Sequence, residues 1–415
     1  MTPTDLPPCP PRDRGGAGGV DDPSVSTPIR VAYLPLSLPP GGSERQMLAL
    51  AERLPRDRFD PELIVRSRND PYLDRATRAG IRVRTTAAVA QTGGVRSQAV
   101  TVLRLARIVR SARYDVVDAW LYPMDVAMAL SRPLTHRPVV ISGRRNLDGH
   151  DRFGRLERLI GTAANRQTDT VVANSAAAAR HAVATQGVDP ARIRIIRNGV
   201  EIPDPISDDE RALRRLALGA TAGDVVVGCV ASYAPAKRLD LLIEAFGVVA
   251  RDEPNVRLEL IGDGPLRGEL AARARALGLD QRICLHGFEP EPERVYPAFD
   301  IVALSSDREG LPNALLEAGA AGRAMLSTAA GGADEIVIDG ETGLLVPTND
   351  VEAFARALGR FVRDPLLRDR LGDAARQHVV RTFGMDRYVA EFASLYEDRV
   401  DANRRKAGRL DAVGR

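Results

Sequence analysis

The chain has 415 residues, 44% of them hydrophobic, which is enough for two globular cores of ordinary size. Its formal net charge is only +3, so the composition gives no electrostatic footprint for nucleic acid. The three cysteines, Cys9, Cys229 and Cys284, have no metal-ligand or redox spacing, and no uninterrupted apolar stretch reaches the ~18–20 residues of a membrane span. These features favour a reduced, cytoplasmic protein.

The first domain is predicted over residues 28–203, after a tail over residues 1–27 that we expect to be disordered because it is rich in Pro and Gly. The domain opens with a strand, Ile29–Leu34, and a Gly41-Gly42 turn that leads into a helix. A glycine pair lets the backbone approach a ligand, and a helix start offers N–H donors for an anion. Short apolar runs then alternate with helical stretches, which predicts a mostly parallel sheet covered on both faces.

A linker is predicted over residues 202–210, where two prolines and a run of acidic residues interrupt this alternation. A second α/β series follows, so we expect another domain over residues 204–384. Residues 385–400 are predicted to form a final helix, before a polar tail over residues 401–415. The predicted fold class is therefore α/β, with two Rossmann-like, doubly wound domains that face a cleft.

The most informative stretch is residues 300–328, which predicts a strand, a polar loop, a helix that opens at Pro312, and a second strand. Glu309 lies in the loop and Glu317 lies about one and a half turns into the helix. Carboxylates accept hydrogen bonds from sugar hydroxyls, and the free N–H groups of a helix start bind anions. For Glu309 alone, an ordinary solvated loop charge explains the sequence equally well.

The segment from Glu309 to Glu317, EGLPNALLE, resembles the donor-sugar signature of the retaining glycosyltransferases of family 4, which have the GT-B fold. The resemblance implies that Glu317 binds the ribose hydroxyls of a nucleotide-sugar donor and that Glu309 binds the transferred sugar. It also assigns to the donor site the residues that follow the first glutamate, Gly310, Leu311, Pro312 and Asn313. In GT-B proteins the last helix crosses back to the first domain, and we expect the same of residues 385–400.

The resemblance extends over roughly residues 29–397 and marks further donor-binding positions. Lys237 falls on the lysine that binds the diphosphate, and it is the only lysine outside the C-terminal tail. Ser232 falls on an arginine position, where a serine brings no charge. Gly41-Gly42 matches a loop near the phosphates, and Gly262 and Gly264 match a turn near the base. By this resemblance the catalytic residues are Glu309 and Lys237.

The chain departs from the family near residue 120. Relatives place histidines there, one of which commonly reaches the donor sugar, whereas Trp120 or Pro123 occupies those positions in this chain. Nearby polar residues that could serve instead are Asp118, Tyr122, Asp125, Arg144, Arg145 and Asn146, and the nearest histidine is His150. Asn198-Gly199, another landmark of the family, is interpreted as a turn.

The resemblance implies a retaining, hexosyltransferase-type glycosyltransferase (EC 2.4) that moves a sugar from a UDP- or GDP-sugar to an acceptor hydroxyl. The expected partners are the nucleotide-sugar donor and a saccharide or lipid-linked acceptor in cell-surface polysaccharide or glycolipid assembly. No cofactor, no metal and no nucleic acid are expected. Two alternatives stay open: a catalytically silent donor-binding subunit that activates another transferase, and a GT-B nucleotide-sugar epimerase.

The arginines of the first domain leave a further choice open. Arg56, Arg58, Arg66, Arg68 and those of residues 104–113 could form a basic face that contacts an anionic membrane, which would place the protein at the inner face of the membrane. More often, such arginines form an ordinary solvated surface.

Overall fold

The computed structural model describes residues 27–35, 41–65, 71–85, 95–120, 122–145, 147 and 155–413. Apart from residue 27, the N-terminal tail lies outside these ranges. Strands alternate with helices from Ile29 onwards, because runs rich in Val, Ile and Leu are separated by amphipathic stretches. Labels below run in chain order through the described residues.

The first sheet has seven strands in the order β3-β2-β1-β4-β5-β6-β7, and all its pairings are parallel. The strands are β1 (Ile29–Leu34), β2 (Phe59–Val65), β3 (Arg82–Thr85), β4 (Val116–Ala119), β5 (Val139–Arg144), β6 (Thr170–Ala173) and β7 (Ile193–Ile195). The helices between them are α1 (Gly42–Arg53), α2 (Pro71–Arg78), α3 (Val95–Ala112), α4 (Tyr122–Ser131), α5 (Arg155–Gln167) and α6 (Ala176–Gln186). The strand order reverses between β1 and β4, so a crevice opens beyond their carboxyl ends.

The second sheet has six parallel strands in the order β10-β9-β8-β11-β12-β13. The strands are β8 (Val225–Val230), β9 (Val256–Ile261), β10 (Ile283–Leu285), β11 (Ile301–Leu304), β12 (Ala324–Thr328) and β13 (Leu344–Val346). The helices are α7 (Asp208–Ala217), α8 (Leu239–Val249), α9 (Arg267–Ala276), α10 (Asn313–Ala320), α11 (Val351–Arg363) and α12 (Pro365–Phe383). Its switch point lies between β8 and β11, the strands that lead to Lys237 and Glu309.

The final helix, α13 (Met385–Val413), packs on the first sheet although the chain reaches it from the second. Tyr388, Phe392 and Tyr396 recur every four residues and form one buried aromatic face. Phe392 stacks on Trp120, and the Tyr396 hydroxyl donates a hydrogen bond to Asp118 over 2.7 Å. The last helix therefore ties the two domains together.

Two expected boundaries differ from the structure. The helix expected to end at residue 400 continues to Val413, because residues 401–413 are mostly good helix formers without a proline. The expected linker ends earlier, because the Ser207 hydroxyl accepts a hydrogen bond from the Glu210 N–H and caps α7. Within the described residues no helix has the length and apolar content needed to cross a bilayer.

Candidate active site

A cavity of about 600 Å³ lies between the two sheets, beyond the carboxyl ends of strands from both domains. It brings together residues that are far apart in sequence, in agreement with the position expected for ligands of doubly wound sheets. All the candidate donor-binding residues line it except Gly264 and Gly310; those that do are Gly41, Gly42, Ser232, Lys237, Gly262, Glu309, Leu311, Pro312, Asn313 and Glu317.

The two candidate catalytic residues form an ion pair in this cavity. Lys237 ends a short 3₁₀ turn after β8, and Glu309 lies in the loop after β11. The Lys237 Nζ and Glu309 Oε1 atoms are 2.6 Å apart, and the Ser306 hydroxyl donates to the same oxygen over 2.7 Å. Both side chains are mostly buried, which strengthens their attraction. The pair places a positive and a negative group on neighbouring parts of the cavity wall.

Glu317 forms a second charged centre. Its side chain is only 9% exposed, and burial raises the pKa of its carboxyl. The Tyr296 hydroxyl donates to Oε2 over 2.7 Å, and Arg45 Nη2 lies 3.0 Å from Oε1. Both contacts favour the ionised form and oppose the effect of burial. Because Arg45 belongs to α1 and Glu317 to α10, this ion pair spans the cleft, and Arg45 also pairs with Glu293 at 3.2 Å.

Asn313 connects the Gly41-Gly42 turn to the second domain. Its Nδ2 donates to the Gly42 carbonyl over 3.0 Å, and its Oδ1 accepts from Asn198 Nδ2 over 2.7 Å. A Cβ at Gly42 would lie 2.5 Å from Asn313 Nδ2, so a larger residue would displace the Asn313 amide from this network. The sequence predicted a ligand loop at Gly41-Gly42 but not that Asn198 would join this network.

Gly262 and Gly264 are required by the backbone around them. Both have positive φ angles, and a Cβ would lie 2.0 Å from the Ala231 carbonyl oxygen at Gly262 and 2.7 Å from the Tyr233 carbonyl oxygen at Gly264. The turn thus packs tightly under the loop that carries Ser232. Gly262 lines the cavity, whereas Gly264 supports that loop from outside it.

The structure distinguishes two arginines that are adjacent in sequence. Arg144 is buried in a network with Asp125 (Nη1 to Oδ2, 2.7 Å) and Asn165 (Nη2 to Oδ1, 2.8 Å), away from the cavity. Arg145 lines the cavity. Its guanidinium carbon lies 3.4 Å from the centre of the Trp120 ring, and its Nη1 donates to Asn198 Oδ1 over 3.1 Å. Of the six polar residues proposed to replace the missing histidine, Arg145 is therefore the one with a described side chain in the cavity.

The other candidates are placed elsewhere. Asp118 is buried behind the cavity wall, where burial raises the pKa of its carboxyl to about 6 although Tyr396 and Arg145 oppose the shift. The side chains of Tyr122 and Pro123 lie outside what the structure describes, as do the whole residues Asn146 and His150. Each histidine with a described side chain lies outside the cavity lining; these are His136, His181, His286 and His378.

Two parallel, doubly wound sheets around a polar interdomain cavity, tied by a returning last helix, define the GT-B class of fold. Solved structures agree: Anabaena Alr3699/HepE in complex with UDP and glucose has a TM-score of 0.79 at 23% identity, covering 89% of this chain and 100% of that one. Sucrose-phosphate synthase from Thermosynechococcus elongatus has a TM-score of 0.76 at 19% identity, covering 90% and 100%.

Sequence comparison assigns the family. Residues 213–378 match glycosyl transferases group 1, and residues 40–202 match glycosyltransferase family 4. The D-inositol 3-phosphate glycosyltransferase of Kribbella flavida is 31% identical over 296 residues, which cover 67% of this chain and 70% of the relative. The lipopolysaccharide core biosynthesis glycosyltransferase LpsE of Rhizobium meliloti is 33% identical over 230 residues, which cover 55% and 64%. The chain belongs to glycosyltransferase family 4 and is a hexosyltransferase-type enzyme, as the sequence predicted.

Proposed function

We propose that this enzyme is a retaining glycosyltransferase that moves a sugar from a nucleoside diphosphate sugar to an acceptor hydroxyl. The observation that carries the proposal is the Lys237–Glu309 pair, 2.6 Å apart, in the same cavity as the buried Glu317. To bind such a donor, a site needs groups that accept hydrogen bonds from the hydroxyls of the sugar and of the ribose. It also needs a cation near the diphosphate that lies between them. The two glutamates and the lysine supply those groups.

Each residue has a distinct role in this proposal. Glu317 accepts hydrogen bonds from the ribose hydroxyls, and Arg45 and Tyr296 keep its carboxylate oriented. Glu309, with the backbone N–H group of Leu311, holds the transferred sugar. Lys237 stabilises the negative charge that grows on the departing diphosphate. This charge stabilisation by the protein requires no metal, so we propose a metal-independent reaction.

Retention of configuration follows from departure and attack on the same face of the sugar. The bond between the anomeric carbon and the β-phosphate oxygen breaks, and the acceptor oxygen forms its bond to the anomeric carbon from that side. The acceptor proton passes to the leaving phosphate oxygen, so the enzyme needs no separate general base. The N-terminal N–H groups of α10, beyond Pro312, add positive potential where the diphosphate leaves.

The solved relatives support the class of donor. Structures of Anabaena HepE contain UDP and UDP-glucose, which favours uridine diphosphate sugars as the first donors to test, before those of guanosine. The relatives' names refer to inositol 3-phosphate and to the lipopolysaccharide core. They support an acceptor from cell-surface polysaccharide or glycolipid assembly, and we propose a saccharide or lipid-linked saccharide.

The test is donor turnover with a panel of UDP-, GDP- and ADP-sugars. Wild type is expected to release nucleoside diphosphate from one donor and Glu309→Gln to lose the rate by about a hundredfold or more. Glu352→Gln, an 89% exposed position on α11, is the control and should keep the wild-type rate. The anomeric configuration of the product, read by NMR, checks retention.

Each remaining outcome selects a rival or rejects the proposal. Donor binding with neither transfer nor hydrolysis, across an acceptor screen, would select the silent subunit. A changed sugar configuration without transfer would select the epimerase. If no nucleotide sugar binds wild type, the proposal is wrong.

We further propose that the first domain contacts an anionic membrane from its cytoplasmic side. Leu103 is 60% exposed on α3, and the exposed Arg107 and Arg110 follow it at helical spacing on the same face. An exposed leucine beside arginines fits the boundary between lipid headgroups and acyl chains. Co-sedimentation with phosphatidylglycerol liposomes at low salt is expected for wild type and is expected to weaken for Leu103→Glu. Equal recovery of both proteins in the supernatant would remove this proposal.

A further inference from the structure

The cations that line the cavity differ in their partners. Lys237 pairs with Glu309, and Arg45 pairs with both Glu317 and Glu293. Ser232, at the position where relatives carry an arginine, adds no charge. A nucleoside diphosphate brings at least two negative charges into this space, and they increase as the sugar departs. Lys237 alone, already bound to a carboxylate, compensates this charge poorly.

Arg145 is a cation of a different kind. It lines the cavity and is only 8% exposed, and among the described residues no carboxylate lies within ion-pair distance of it, although the buried Asp118 carboxylate is near enough to interact with it electrostatically. Its Nε–H is buried without a hydrogen-bond partner. Burying a guanidinium without a directly paired anion costs free energy, and an anionic ligand in the cavity would offset that cost.

The surroundings of Arg145 hold its side chain in place. Its guanidinium lies flat against Trp120, which in turn stacks on Phe392 of α13. A Cβ at Gly143 would lie 3.1 Å from the Trp120 carbonyl oxygen, so a larger residue would need the backbone at Trp120 to shift by a few tenths of an ångström, and it would be in van der Waals contact with Arg145 Nε at 3.5 Å. Asn198 fixes the far end of the guanidinium through Nη1.

The backbone of Arg145 also locates it along the donor. Its carbonyl oxygen lies 2.1 Å from where Gly310 would carry a Cβ, so the end of β5 touches the loop of Glu309. Asn174, at the end of β6, donates from Nδ2 to the same carbonyl over 3.2 Å. The loop that holds the sugar in the proposed function therefore lies next to Arg145, whose side chain lines the same cavity.

We propose that Arg145 binds the diphosphate of the donor at its sugar end, and so supplies from the first domain the charge that Ser232 does not supply from the second. This inference rests on the proposed function. A guanidinium can donate two parallel hydrogen bonds to phosphate oxygens. Trp120, at the position of the family's histidine, is then a positioning residue that serves as the platform for Arg145.

The experiment measures nucleotide binding by calorimetry on the full chain, using UDP, GDP and ADP and their parent nucleosides as probes. For the diphosphate that wild type binds, Arg145→Gln is expected to weaken binding by about 10–100-fold, the loss typical of one charge-assisted contact. Binding of the parent nucleoside should stay unchanged. Arg145→Lys keeps the charge but not the planar guanidinium, so its affinity for the diphosphate should lie between those of wild type and Arg145→Gln.

Two further variants make the result specific. The double variant Arg145→Gln/Ser232→Arg places a guanidinium on the opposite wall of the cavity, in the second domain. At least part of the lost diphosphate affinity should therefore be recovered. Arg144→Gln is the matched control, since that neighbouring arginine belongs to a buried network outside the cavity. It should lower the melting temperature without changing diphosphate affinity. If Arg145→Gln does not fold, Arg145→Lys with and without Ser232→Arg gives the same comparison.

The inference is overturned if a folded Arg145→Gln binds the diphosphate within about twofold of wild type. It is also overturned if Arg145→Gln weakens binding of the parent nucleoside as much as binding of the diphosphate, because the loss would then not come from the phosphates. Failure of wild type to bind any diphosphate would count against the proposed function, and not against the assignment of Arg145 within it.

Discussion

The two walls of the cavity are built in different ways. On the second domain, Lys237, Ser306 and Glu309 follow two adjacent strands, and Glu309 and Glu317 are fixed by one loop and one helix. On the first domain, Arg145 takes its position from Trp120, which rests on a helix from the far end of the chain. The first kind of wall is a local motif, whereas the second exists only after the whole chain has folded.

Removing the aromatic platform should have the largest effect on the first-domain wall. Trp120 is buried and contacts both Phe392 and Arg145, so Trp120→Ala leaves a large void and releases the guanidinium. We expect a loss of about 3–5 kcal/mol in the free energy of unfolding, measured in urea. Diphosphate affinity should fall as it does in Arg145→Gln.

On the second wall, the variant to compare with Trp120→Ala is Ser306→Ala. It removes one hydrogen bond to Glu309 but leaves the ion pair between Lys237 and Glu309. That variant should lose only about 1 kcal/mol of stability. If Trp120→Ala unfolds at the same urea concentration as wild type, the last helix does not hold this wall together.

The sequence predicted the part of the second wall from Glu309 to Glu317 because these residues are contiguous, whereas Lys237 was assigned only by family resemblance. The frame from Glu309 to Glu317 contains its own loop, helix start and carboxylates, so local rules and family resemblance were enough. The strand–helix alternation likewise predicted both sheets, because fully buried strands are apolar throughout. Turn chemistry at Asn198-Gly199 gave no indication that Asn198 bonds Arg145 and Asn313.

Arg145 could not be selected from its neighbours by sequence alone. Arg144 and Arg145 are chemically identical, and alternation along β5 does not say which faces the cavity once the strand has ended. The choice depends on Trp120 and Phe392, which come together only through the returning helix. The sequence did contain one signal for Arg145. Trp120 replaces the family's histidine, and Arg145 follows the next strand.

The buried Asp118 in the first-domain wall should make the free energy of unfolding depend on pH, and this effect is expected to be of intermediate size. Burial raises the pKa of Asp118 to about 6, so the folded state keeps a proton that the unfolded chain, with an ordinary aspartate, has released. This stabilising contribution is complete below about pH 4 and is lost as the pH rises through about 6, in total about 3 kcal/mol. Asp118→Asn lacks this dependence.

The measurement is the free energy of unfolding of both proteins between about pH 5 and pH 7, where wild type should lose about 1 kcal/mol more than Asp118→Asn. Because Arg145 opposes the pKa shift of Asp118, Arg145→Gln should move the transition to higher pH. Parallel curves for wild type and Asp118→Asn would mean that Asp118 has an ordinary pKa.

The smallest expected effect concerns Arg45, the residue that joins the two walls. Arg45 opposes the upward shift that burial causes in the pKa of Glu317, so Arg45→Met should raise that pKa further. A protonated Glu317 accepts hydrogen bonds from ribose hydroxyls less well. Donor affinity should therefore fall by about fivefold at the more acidic of two pH values and recover at the more alkaline one, where the carboxyl is ionised again. Glu293→Gln, which removes the other, 54% exposed partner of Arg45, should change affinity by less than about twofold at either pH. Equal losses at both pH values would mean that Arg45 acts by closing the cleft and not through the charge on Glu317.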